Sequence, residues 1–198
     1  RFVGTRTNRR PQRNNMINLP DIDMDFGNRS QILELLDGTP ARLKNGQKHT
    51  TGMYFTDIPK TNDSIATVEH NEAALLGYFK LDLLNVRVYE HIRNEEHLVE
   101  LMTTEPSWSR LWNDKEFCEK VIHINNYYKL VNSMRPDSIP RMAMFLAVIR
   151  PGKAHLRNKP WAEIAETVWD RNVDGYTFRK SHAVAYAHLV VAHINLLT

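Results

Sequence analysis

Leu19-Pro20-Asp21-Ile22-Asp23-Met24-Asp25-Phe26 alternates three acids with apolar residues. In an extended strand, side chains at i, i+2 and i+4 share a face. That reading points Asp21, Asp23 and Asp25 to one side and sends Ile22, Met24 and Phe26 into a core. Like charges on one strand face repel unless something positive sits among them. Carboxylate oxygens are hard ligands, and Mg²⁺ is the cation that one or two carboxylates hold together with substrate phosphates. The plainer reading of the same pattern is a polar edge strand, although acids are poor strand formers.

The composition sets wide bounds around this stretch. The chain has 198 residues, enough for one domain or two small ones. At 42% hydrophobic it can bury a core, and a net charge of +3 permits nucleic acid without demanding it. The single cysteine, Cys118, excludes a disulfide framework and a multi-cysteine zinc site and suits a reducing cytosol. No apolar run is long enough to span a bilayer, so no membrane partner is expected. The chain starts at Arg1 and stops at Thr198 inside an apolar run, and is expected to be a piece of something longer.

Residues 1–15 carry Arg1, Arg6, Arg9, Arg10 and Arg13 and read as a basic arm, either a phosphate contact or a solvated tail. Beyond the acidic stretch, Asn28 or Ser30 caps a short helix over 29–37, which ends at Asp37-Gly38-Thr39-Pro40. Asn45-Gly46 signals a turn, and Gly52-Met53-Tyr54-Phe55 reads as a strand. The loop before that strand could present Lys48 and His49 to an anion, or be an ordinary hairpin. Leu75–Leu84 reads as a mostly buried strand with Lys80 and Asp82 on one face. A buried acid is costly unless paired or metal-bound, and a private Lys80–Asp82 ion pair is the plainer alternative.

The second half reads as helices: Val86–Met102, with His91 and His97 on its charged face, then Asp114–Val131, after a connector at Pro106–Trp112. A nearly all-apolar helix over Met142–Ile149 follows, with Ser138 as its cap, stopped by Arg150-Pro151-Gly152. Arg150 is expected in a cleft or at the surface. A basic loop at 153–160 precedes an amphipathic helix, Trp161–Trp169. Ser181 is the expected cap of the last helix, Ala183–Leu197. Aromatic residues and cations interleave over Asp174–His182 at its start, which suits a base and a phosphate together.

Six of these pieces form an ordered series. Leu-Pro-Asp-Ile-Asp-Met-Asp-Phe at 19–26, Asn-Gly-Gln-Lys-His-Thr-Thr-Gly at 45–52 and Phe-Lys-Leu-Asp-Leu-Leu at 79–84 resemble the palm motifs of the bacterial replicative DNA polymerases of family C, the DNA polymerase III alpha subunit. Arg-Pro-Asp-Ser-Ile at 135–139, Val-Ile-Arg-Pro-Gly at 148–152 and Gly-Tyr-Thr-Phe-Arg-Lys-Ser-His-Ala at 175–183 are similar to its fingers motifs. The resemblance implies an α+β fold. A small mixed sheet, a palm of the polymerase beta type, would lie at 16–85, with a mainly helical fingers-like part at 86–198.

The resemblance also implies a DNA-directed DNA polymerase core that transfers a dNTP to a primer 3′-hydroxyl. Asp21, Asp23 and Asp82 would be the catalytic carboxylates that hold two Mg²⁺ ions, or Mn²⁺. Lys48, His49, Lys80, Arg150, Lys180 and His182 would meet the triphosphate or the template. Only residues 27–47 stand where the family inserts a long segment with its thumb, and little of the large fingers segment remains between Gly152 and Trp161. A shortened, phage-type version is therefore expected, in the cytoplasm of a bacterial cell. Its partners would be primer–template DNA and replisome subunits that supply the thumb and clamp functions. The competing expectation is a non-catalytic module or a split-polymerase subunit.

Overall fold

The computed structural model describes residues 22–171 and 178–198. The chain parts into two compact units between Arg87 and Val88. The fold class is α+β, with a small mixed sheet in the first unit and helices in the second. Among the described residues no helix is long and apolar enough to cross a membrane.

The first unit is a four-stranded sheet of β1 (Ile22–Phe26), β2 (Thr39–Arg42), β3 (Lys48–Tyr54) and β4 (Leu81–Asn85) in the order β1-β4-β3-β2. β1 runs parallel to β4, and β3 is antiparallel to both β4 and β2. α1 (Arg29–Leu35) follows β1, and Asn28 caps it by accepting the Ser30 N–H at 3.1 Å. The Asn85 side chain accepts the Arg29 N–H at 3.2 Å, which ties the start of α1 to the end of β4. Gly46 turns the β2–β3 connection at φ +85°, the left-handed geometry that glycine adopts at no steric cost. Ala41, Tyr54, Ile58, Ala66 and Ala73 form the core of this unit.

Several expectations fail here for identifiable reasons. Ile22 and Met24 do not enter a core; they are 43% and 40% exposed. Among the described residues β1 is an edge strand, and the packed side chains lie against β2 and β3 instead. Leu75–Leu84 is not one strand. α2 (His70–Leu75) ends there, Gly77 turns the chain at φ +88°, and β4 starts only at Leu81. Leu75 and Leu76 are exposed, so their apolar character extended the strand reading too far. Thr39-Pro40, read as a helix stop, opens β2, whose Thr39 pairs with Tyr54.

The second unit packs α4 (Trp108–Asn113), α5 (Lys115–Cys118), α6 (Tyr128–Met134), α7 (Ile139–Val148), α8 (Trp161–Thr167) and α9 (Lys180–Leu196) around one apolar core, with α3 (Glu95–Thr103) against α9. α7 buries Met142, Phe145 and Leu146 against α9, and Ser138 Oγ accepts the Arg141 N–H as its cap. Asn195 on α9 donates to the carbonyls of Leu101 and Thr104, each at 2.8 Å, and so satisfies the end of α3. Lys153 is buried and donates to the Thr167 carbonyl at 2.9 Å, within a 3₁₀ turn over Pro151–Leu156 where a basic loop was expected.

Two long helices expected in this unit are broken. Asn94 interrupts Val86–Met102 by capping α3 through the His97 N–H at 2.9 Å. Asp114–Val131 divides into α5 and α6, with His123 between them at φ +66°. Pro106–Trp112 is in part the helix α4 rather than a connector. Ser181 does not cap α9; Arg179 holds that position and makes no side-chain cap bond.

The His123 ring stacks on Tyr186 at 4.4 Å, and its Nε2 is buried without a hydrogen-bond partner. Burial first, then Arg150 and His193, lowers its pKa from 6.5 to about 4. The unfolded chain binds this proton more readily, so stability falls as pH drops from 6.5 toward 4. After allowance for partial solvent screening, the loss is expected to reach about 1–2 kcal/mol. Urea titrations near neutrality and near pH 5 check this, and His123→Phe is expected to flatten the dependence.

Candidate functional site

Asp23 and Asp82 are register partners across the parallel β1–β4 pair. Partners in such a pair face the same side of the sheet, and neighbouring strands lie about 4.8 Å apart. Two acids separated by much of the first unit in sequence therefore stand side by side. Asp23 is exposed, whereas Asp82 is 8% exposed. Asp25 lies on the same strand as Asp23 and is half-buried. Asp21 falls outside the described residues, as do the basic arm and residues 172–177 of the last aromatic–cation stretch.

Two side chains hold Asp82. Lys80, just before β4 begins, ion-pairs with Oδ2. The Thr51 hydroxyl donates to Oδ1 at 2.8 Å. His49 Nδ1 lies 3.8 Å from Oδ1, too far for a hydrogen bond. That nitrogen instead accepts the Gly52 N–H at 2.9 Å and the Thr51 N–H at 3.2 Å, so it carries no proton to offer Asp82. His49 therefore shapes the loop, and its ring meets His70 edge-on with centroids 5.4 Å apart.

A bulge makes this arrangement possible. Pro40 pairs with Met53 and Arg42 pairs with Lys48, so Ala41 alone faces residues 49–52 of β3. Extra residues in one strand re-aim side chains and leave ladder donors to be satisfied otherwise. Here His49 takes up two of those donors while Thr51 turns to Asp82. Gly52, the register partner of Asp82 on β3, leaves the space in which Lys80 lies. A Cβ at Gly52 would come within 2.8 Å of Lys80 Cδ and 3.0 Å of His49 Nδ1.

Burial alone pushes the Asp82 pKa up, but hydrogen bonds from Lys80 and Thr51 and the Lys80 charge outweigh it, and the net shift is downward. The stabilisation this gives is complete above the ordinary carboxylate value and is lost as pH falls through the lowered one. The buried Tyr54 hydroxyl, without a hydrogen-bond partner, is pushed up to about 12, first by burial and then by Glu69 and Asp82. Thr51→Val removes a charge-assisted bond while nearly keeping the shape. It is expected to cost about 1.5–3 kcal/mol in urea denaturation and to move acid unfolding to higher pH.

The remaining expected residues are distributed differently. Lys48 is exposed at the start of β3. In the helical unit, Arg150 is half-buried with its guanidinium 4.8 Å from the Phe178 ring centroid, and its Nε is buried without a hydrogen-bond partner. Lys180 lies 5.9 Å from the Trp169 ring centroid, and the His182 ring is 6.3 Å from that of Tyr186. Each of these three side chains sits against an aromatic ring, with a cation–π contact for Arg150 and Lys180.

Thr51 and Gly52 are the contributors that sequence reasoning missed. Both lie inside the quoted Asn-Gly-Gln-Lys-His-Thr-Thr-Gly motif, but strand alternation alone does not aim Thr51 at Asp82.

Two carboxylates on neighbouring strands, one nearly buried, suit a hard divalent cation that also takes phosphate oxygens. Among the described residues no group of three His, Cys, Asp or Glu side chains is placed to hold a metal; Asp21, the third acid, is not one of them. No family model matches the chain, and no curated protein matches it.

Proposed function

We propose that the sheet unit is the catalytic core of a DNA-directed DNA polymerase resembling family C, transferring a dNTP to a primer 3′-hydroxyl. The observation that carries this reading is the pairing of Asp23 with Asp82 on one sheet face. Asp21 would complete the acidic set. Two divalent ions, when bound, supply charge neutralisation of the triphosphate and activation of the hydroxyl. Phosphoryl transfer asks the protein mainly for position and charge.

Asp82 is held ionised and in a fixed rotamer by Lys80 and Thr51. Lys80 balances its charge, and becomes available to a phosphate oxygen when a cation shares that carboxylate. Lys48, exposed on the same unit, is a further phosphate partner. Primer–template DNA and replisome subunits that supply thumb and clamp functions are the proposed partners, in a bacterial cytoplasm. Primer extension by the purified chain with Mg²⁺ or Mn²⁺, compared with Asp23→Asn, tests the reading. Extension that is metal-dependent and lost in the variant supports it; extension unaffected by the substitution overturns it.

A second reading has one observation in its favour. The Lys80–Asp82 pair already satisfies the buried acid without any metal, as a non-catalytic nucleic-acid-binding or partner-binding module would require. Such a module binds primer–template with no change in melting temperature on adding Mg²⁺ and dNTP.

A further inference from the structure

We propose that a groove at the α5–α6 junction of the helical unit binds a short stretch of single-stranded nucleic acid, bases on tyrosine rings and phosphates on cations. The groove encloses about 730 Å³, within the range of about 300–1,000 Å³ typical of ligand clefts. Tyr127 and Tyr128 line it, and both pack partly against the apolar core of the unit. Their rings are thereby ordered before any ligand arrives, so stacking costs little conformational entropy.

The charges around these rings are mostly positive. Lys129 is exposed beside them. Arg157 donates Nη2 to the Ile149 carbonyl at 3.1 Å, which fixes its planar fork at the groove; the remaining donors of that fork suit a phosphate. Lys115 also lines the groove, and its charge is shared with Glu119 at 3.6 Å. Asn125 and Asn126 are exposed there and offer amide donors and acceptors to base edges. Cations that follow a backbone, interleaved with aromatic faces, are how proteins hold single strands without reading sequence. The site lies within the helical unit alone, and it stands whether or not the acids of the sheet unit catalyse anything.

Fluorescence anisotropy with a short labelled oligothymidylate tests it on the full chain. Tyr127→Ala and Tyr128→Ala are each expected to weaken binding about tenfold, with the Phe variants close to wild type. Lys129→Gln, a surface change that leaves folding intact, is expected to lower the salt slope by about 0.7. An oligonucleotide carrying 5-iodouracil should photo-crosslink to Tyr127 or Tyr128. Wild-type affinity in both Ala variants and in Lys129→Gln overturns the proposal, as do crosslinks confined to other segments. Free dTMP that binds as tightly as the oligonucleotide would replace the strand with a mononucleotide. Polyglutamate that competes equally well would show that charge alone is recognised, and either result overturns the assignment.

Discussion

Asp82→Asn is expected to lower primer extension on the order of 10³-fold, the scale of losing one group that stabilises transferred charge. The substitution keeps the shape of the side chain and leaves an oxygen to accept from Thr51. It removes the negative charge that balances Lys80 and that would hold a divalent ion. The Asp82 and Lys80 side chains are only 11% and 13% exposed, so their pairing is poorly screened. The Lys80 stem can carry its ammonium toward water, which limits the stability loss to about 1–3 kcal/mol. The expected signature is a large activity loss with a modest fall in melting temperature. Variant extension at the wild-type rate would remove Asp82 from the chemistry.

Lys80→Met is expected to have the largest effect on stability. It leaves the Asp82 carboxylate nearly buried with Thr51 as its one remaining donor among those described. Breaking a buried pair from one side costs about 3–5 kcal/mol, because an uncompensated charge stays behind. With the lysine gone, its hydrogen bond and its charge no longer lower the Asp82 pKa, and the acid titrates at higher pH. Denaturant melts in chelator should show this loss. Millimolar Mg²⁺ should return a good part of it, since a cation on Asp23 and Asp82 replaces the missing ammonium. A loss that Mg²⁺ does not reverse would indicate a purely structural ion pair. A loss below about 0.5 kcal/mol would mean that solvent already reaches the acid.

The sequence displayed the local signals well and the long-range ones poorly. Asn28 and Ser138 were readable as caps, and both accept a backbone N–H as expected. Gly46 was readable as a turn because its geometry is decided within a few residues. The acids themselves were readable from alternation, but their neighbours were not. Pairing of Asp23 with Asp82 is set by strand register, and periodicity carries no register between distant strands. The bulge that turns Thr51 toward Asp82 exists only as a mismatch between β2 and β3, which neither strand displays alone. Exposure of Ile22 and Met24 was hidden for a related reason, since alternation gives two faces but not which one is covered. α2 was missed because Leu75-Leu76 prolongs an apolar run, although Gly77 was the breaker that divides it. In the helical unit, the composition of α7 and α9 declared their burial, whereas the break at His123 interrupts a pattern that stays helical in period on both sides.

The central claim is that Asp23 and Asp82 together hold a divalent ion. Titration of Mn²⁺ against the full chain with a dNTP present, followed by the electron paramagnetic resonance signal of the free ion, addresses it most directly. Altering only the outer partners of a metal ligand weakens affinity about 10–100-fold, so losing a ligand itself should cost at least that much. The expected result is saturable binding to the native chain, weakened at least about tenfold in both Asp23→Asn and Asp82→Asn. Mn²⁺ binding of native strength in both variants would contradict the claim.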